Sequence, residues 1–148
     1  MTSKLKAALA GCLLSAAALP ALAADGAEVF AEACAACHNE GGIGNPGLAP
    51  ALNRPGFWSG LGDRAVSYVS GVVTSGLAGR IEAAGQTYVG LIMPPVAGYE
   101  DADLAAAASY VLQDLGGLAT DVTEADIAAA RDAHPSHADL RAMRPAGE

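Results

Sequence analysis

The sequence predicts an all-α fold of three main helices and one short C-terminal helix. Two observations carry this. Three segments, near residues 26–38, 64–75 and 101–115, space apolar residues at helical intervals, and each has its own start and stop signals. Between the first two lies a stretch so dense in Gly and Pro that no regular element survives there. The chain has 148 residues, 52% of them apolar, which suffices for one compact core and hardly two.

Residues 1–24 read as a secretory signal peptide. Lys4 and Lys6 form a positive start, Ala7 to Ala18 is uncharged and largely apolar, and Pro20 precedes an Ala21-Leu22-Ala23 cleavage pattern. The apolar run is short for a transmembrane span and ends in small residues, so cleavage near Ala23 or Ala24 and no stable membrane insertion are expected. Leu9-Ala10-Gly11-Cys12 matches a lipoprotein cleavage pattern. Too few residues separate Lys4 from Cys12 for the roughly 7–15-residue apolar region a signal needs, so lipid anchoring at Cys12 is not expected. The expected location is the periplasm.

Loss of this segment removes Lys4 and Lys6 but no acid, which moves the net charge from −8 to about −10 and leaves six Arg and no Lys. Such a chain is unsuited to nucleic acid or anionic membranes. A protein partner should offer a basic or apolar docking surface.

The main domain is expected over 25–118. Asp25 or Gly26 starts the first helix, and Val29, Phe30 and Ala33 recur along it. Residues 39–55 hold Gly41, Gly42, Gly44, Gly47, Pro46, Pro50 and Pro55, a wrapping loop of the kind that usually carries function. Asp63 is expected to cap the second helix, whose stripe is Val66, Val69, Val72 and Val73 and whose stop is Gly76. Ile81, Tyr88 and Val89 around Gly85 suggest a hairpin. Met93-Pro94-Pro95 is a rigid turn that lacks two backbone donors. The third helix turns Leu104, Ala108, Val111, Leu112 and Leu115 inward and stops at Gly116-Gly117. Residues 119–148 form a C-terminal extension. Thr123 to Asp126 resembles a capping box leading into Ile127, His134-Pro135 ends that short helix, and a polar, mobile tail follows from Ser136.

Cys34-Ala35-Ala36-Cys37-His38 is a C-x-x-C-H motif, the pattern of covalent haem attachment. Residues three apart share one face of a helical turn, so both thiols can reach the two vinyl groups along one haem edge. Ala35 and Ala36 leave room for the macrocycle, and His38 supplies a nitrogen to the iron. The rivals are weaker. A thioredoxin-like pair belongs after a strand, which is missing here. A zinc site would need two more ligands at short spacing, and His134 and His137 lie far off. A disulfide alone leaves His38 unexplained. A second axial ligand is most often Met or His. Met93 sits in the Pro-stiffened turn, whereas Met143 lies in the polar tail with nothing to hold it. His38 and Met93 are therefore the expected axial ligands of one covalent haem c, with the three helices around it.

The chain resembles the class I c-type cytochromes, monohaem proteins with His/Met ligation, over residues 26–117. Gly26 and Phe30 stand eight and four residues before Cys34, Pro50 twelve after His38, and Tyr110 seventeen after Met93. The resemblance implies that Gly26 permits a close crossing of the first and last helices. It implies that Phe30 and Tyr110 pack at that crossing and that the Pro50 carbonyl orients the His38 ring. The lysine ring of the family's animal members is absent, so their docking mode does not carry over. Trp58 and Arg54 follow the glycine-rich loop and are candidate donors to the haem propionates, with Arg80 and Tyr88 weaker ones.

The implied function is one-electron transfer, with no catalytic residues. Two versions compete: a free periplasmic shuttle, or the cytochrome subunit of a dehydrogenase. Its partners would be a dehydrogenase donor and an oxidase or cytochrome acceptor. The alternative is a small haem enzyme, peroxidase or thiol-oxidising, with an exchangeable sixth ligand. No His paired with a carboxylate lies near Met93 to support it.

Overall fold

The computed structural model describes residues 24–146. The expected signal segment, Cys12 included, lies outside the described residues except for Ala24. Helix α1 spans Gly26–Ala33, and Asp25 caps it by accepting from the Ala27 and Glu28 amides at 2.9 and 3.4 Å. After a break at Cys34, α2 covers Ala35–His38, so the single helix expected here is two short ones. The Gly- and Pro-rich loop follows, with one 3₁₀ turn at Glu40–Gly42.

Helix α3, Pro55–Leu61, was not expected. Pro55 occupies its first turn, where a missing N–H costs nothing. Phe57, Trp58 and Leu61 are buried along it. Helix α4 is Ala65–Ser75, and the cap expected from Asp63 does not form. Asp63 lies inside a 3₁₀ turn, Gly62–Arg64, that runs straight into α4, so the cap position falls on Arg64. Four short strands follow: β1 Leu77–Ala78, β2 Ile81–Ala83, β3 Gln86–Tyr88 and β4 Ile92–Met93. The hairpin read around Gly85 is β2–β3, and β1 pairs antiparallel with β4.

Helix α5, Asp101–Tyr110, widens into a π-helical turn over Val111–Leu115. Leu104, Ala108, Val111 and Leu112 are buried as expected, and Leu115 is half-buried against the core. Helix α6, Glu124–Ala133, starts on a full capping box between Thr123 and Asp126. The polar, mobile tail expected from Ser136 is instead helix α7, His137–Met143, capped by Ser136. Its one branched apolar residue, Leu140, is completely buried, and that contact outweighs the polar surroundings.

Helices α1 and α5 cross where Gly26 sits. A Cβ there would lie 2.3 Å from the Ala106 carbonyl oxygen, so no larger residue allows this approach. Phe30 and Tyr110 close the crossing with ring centroids 5.3 Å apart. Helix α6 packs on α4 and α5, and α7 packs on α4. A Cβ at Gly71 would meet Leu140 Cδ2 at 2.7 Å, so α4 is notched where α7 docks. The molecule is mostly helical, its strands short. Among the described residues no helix is long and apolar enough to cross a membrane.

Candidate haem-binding cleft

One cleft opens beside α2, with about 1220 Å³ of space including the solvent at its mouth. Cys34, Cys37 and His38 line one part of it, and Met93 and Pro94 another. Between them run the loop from Leu48 to Leu52, the α4 residues Val69, Val72 and Val73, and the aromatic floor of Phe57, Trp58 and Tyr68. The walls are overwhelmingly apolar, with a few polar groups at defined points, as expected of a cofactor site.

Cys34 is half-buried and Cys37 exposed, both as free thiols. Burial, and then the neighbouring Cys37, push the Cys34 thiol up to about 11. His38 is buried, and burial lowers its pKa while a hydrogen bond to Pro50 works the other way. That bond decides the ring's tautomer. Nδ1 lies 2.8 Å from the Pro50 carbonyl oxygen, which can only accept, so Nδ1 carries the proton. In the neutral ring Nε2 is then the nitrogen with a free lone pair. The loop is tied back to the same turn: the Gly44 amide donates to the His38 carbonyl, and Asn39 Nδ2 to the Gly44 carbonyl, both at 2.8 Å.

Met93 is placed by backbone contacts. Strand β4 sets it opposite Leu77, and three residues on, the Val96 amide donates to the Val73 carbonyl at 2.8 Å. Gly76 makes this possible. Its φ is +75°, and a Cβ there would sit 2.4 Å from the Met93 carbonyl oxygen. Met143 packs against the core from α7 and does not line the cleft. Nor do His134 and His137; the His137 ring is 3.1 Å from the Ser75 carbonyl.

The candidate propionate donors divide. Trp58 lines the cleft, but its indole N–H already donates to the Leu52 carbonyl at 2.7 Å. Arg54 lines the cleft with its guanidinium 5.2 Å from the Phe57 ring centre. Arg80 points away into an exposed pair with Glu82 at 2.7 Å. Tyr88 lines the cleft, and its hydroxyl donates to Gln86 at 3.1 Å. Sequence reasoning missed Tyr68 and Arg144, which also line the cleft. They touch across 76 positions of sequence, and no local pattern announces such a contact.

The donor set suits a covalently held haem: two thiols, a neutral imidazole with a free lone pair, a thioether and an apolar wall. The cytochrome c family model matches residues 23–114. The chain belongs to the cytochrome c family. It is a class I c-type cytochrome, and its cofactor is one covalently bound haem c. Two curated relatives, both cytochrome c-552 of Thermus thermophilus, are 34% identical over 88 residues, 60% of this chain. The chain spans 66% and 58% of their respective lengths. The matched region ends before α6, so α6 and α7 lie outside the family domain.

Proposed function

We propose that this cytochrome is a one-electron carrier in which Cys34 and Cys37 hold the haem through thioether bonds and His38 and Met93 are the axial ligands. The bound haem supplies the iron couple that accepts and returns one electron. The observation that carries the reading is the Nδ1–H bond from His38 to Pro50, which leaves Nε2 as the ligating nitrogen in the cleft that Met93 also lines. Thioether ligation favours the ferrous state, and the apolar wall keeps water from the metal. The Pro94-Pro95 turn and the Gly76 contact restrain Met93 and so limit exchange of the second ligand.

The carrier works in the periplasm after loss of residues 1–24, as a free shuttle or as the cytochrome subunit of a dehydrogenase. Leu48 and Ile92 line the cleft and are exposed, at 45% and 70%, so an apolar contact ringed by basic groups on the partner suits this acidic chain.

The test is substitution in protein matured with the export machinery. Cys34→Ala or Cys37→Ala abolishes two-bond attachment. Met93→Ala loses the ferric iron–sulfur charge-transfer band and lowers the reduction potential, and Met143→Ala does neither. Two thioether bonds surviving in both cysteine variants would remove the attachment assignment, and loss of the band in Met143→Ala would transfer the ligand role.

A further inference from the structure

Helices α6 and α7 lie beyond the matched domain, yet they deliver a cation into the cleft. The route is built from several contacts. Leu140 is completely buried against the Gly71 notch of α4. Arg141 donates to the Ala78 carbonyl and packs on Gly79, where a Cβ would collide with its guanidinium. One residue past α7, Arg144 turns into the cleft. Its Nη1 donates to the Tyr68 hydroxyl and its Nη2 to the Glu82 backbone carbonyl, each at 2.8 Å. Its guanidinium carbon stands 4.7 Å from the Phe57 ring centre.

Every one of these partners is neutral. The Glu82 carboxylate is turned away, engaged by Arg80 and Thr87. Among the described residues Arg144 has no carboxylate partner, although it is half-buried on an apolar wall. A partly desolvated cation without a counter-charge is unfavourable, and an anion entering the cleft would remove that penalty. Of its five N–H donors two are engaged, which leaves three. Haem brings two carboxylates into this cleft, and the indole N–H of Trp58 is already taken.

We infer that the C-terminal extension is part of the haem-binding unit and that Arg144 is the fixed counter-charge of a haem propionate. This rests on the haem-carrier reading above and adds to it a residue the family domain does not contain. An Arg beside the haem favours the reduced state, which carries one positive charge less at the iron. Its removal therefore favours the ferric form.

The experiment uses the full chain, matured with haem, as Arg144→Gln and Arg144→Lys beside the parent. Readouts are the midpoint potential, the propionate bending mode in the resonance Raman spectrum, and thermal unfolding. Arg144→Gln should shift the ferric/ferrous equilibrium on the order of tenfold toward ferric, which is about 59 mV for one electron. It should also move the propionate mode. Arg144→Lys keeps the charge without the planar fork and should recover most of the potential. An unchanged potential and propionate mode in Arg144→Gln, with only a lower unfolding temperature, would make Arg144 a structural residue and overturn the inference. If Arg144→Gln yields too little holoprotein, Arg144→Lys decides by itself: a parent-like potential with a moved propionate mode supports the inference, and an unmoved mode overturns it. Wherever holoprotein forms, the attachment spectrum stays that of the parent. A parent chain that acquired no haem would refute the carrier reading itself.

Discussion

Gly76→Ala is the sharpest probe of how the backbone sets the metal ligand. Gly76 has φ +75° and ψ −177°, a region that is essentially restricted to glycine. Forcing an L-residue into it costs about 1–3 kcal/mol. The new Cβ would also stand 2.4 Å from the Met93 carbonyl oxygen and 3.0 Å from the Pro94 carbonyl carbon, both rigid backbone atoms. The strand pair β1–β4 must therefore shift by several tenths of an ångström, and Met93 moves with it. The total comes to about 3 kcal/mol, or a fall of roughly 10 °C in the holoprotein's unfolding temperature for a chain of this length. Gly85→Ala is the control. Gly85 has the same φ of +75°, but a Cβ there meets nothing within 4 Å, so only a backbone cost applies. Thermal unfolding should rank Gly76→Ala well below Gly85→Ala. The ferric iron–sulfur band should weaken, and external ligands should bind faster, in Gly76→Ala alone. Equal stability losses with an unaltered band in both variants would refute the claim that Gly76 positions Met93.

Leu140→Ala empties a fully buried site and should cost about 3 kcal/mol by thermal or denaturant unfolding; a loss under about 1 kcal/mol would show that α7 is not part of the core. Asp126 is held below its ordinary value of 3.8 by the Thr123 hydroxyl and amide. The stability it adds is therefore complete above that value and is lost as pH falls through its lower folded value. Asp126→Asn should flatten the acid side of the stability curve, measured over roughly pH 5 to 2. The acidic surface predicts that reaction with an oxidant bearing an acidic docking site speeds up with added salt and that with a basic site it slows down. Stopped-flow rates at several ionic strengths check this, and the reverse order would place a local basic patch at the docking face.

How much was legible follows from the range of each interaction. Cys34, Cys37 and His38 are neighbours in sequence, so their spacing alone carries the chemistry. Pro50 and Met93 are farther away, yet each sits in a segment stiffened by proline, and such segments keep their signature whatever packs around them. Helix α3 was hidden because Pro55 reads as the last breaker of the Gly- and Pro-rich loop and no apolar stripe of helical length follows it. Only the burial of Phe57, Trp58 and Leu61 together makes that stretch helical. Helix α7 was hidden because one leucine, two alanines and a final methionine among charged residues make no stripe. Its docking depends on Gly71, whose role as a notch is visible only once α4 and α7 are side by side. The half-buried valines Val72 and Val73 show the same limit. They read as core residues of α4, but they line the cleft, and periodicity does not tell a wall for a cofactor from a wall for another helix.

The two proposed ligands are held by backbone, not by charge. His38 is oriented through the Pro50 carbonyl, and Met93 through β1–β4, Gly76 and the Val96–Val73 hydrogen bond. Neither arrangement contains a charged partner, so added salt leaves these contacts in place. The charged groups lie elsewhere. The acids are spread over the surface, where they bear on encounter with a partner, and Arg144 and Arg54 line the cleft around Phe57. Such a division lets surface charge change with the partner while the iron site keeps its geometry. It also explains why the extension matters. A cation just past a separate helix, docked through Leu140, can alter the field at the cofactor without disturbing the turn that holds His38 or the strand that holds Met93.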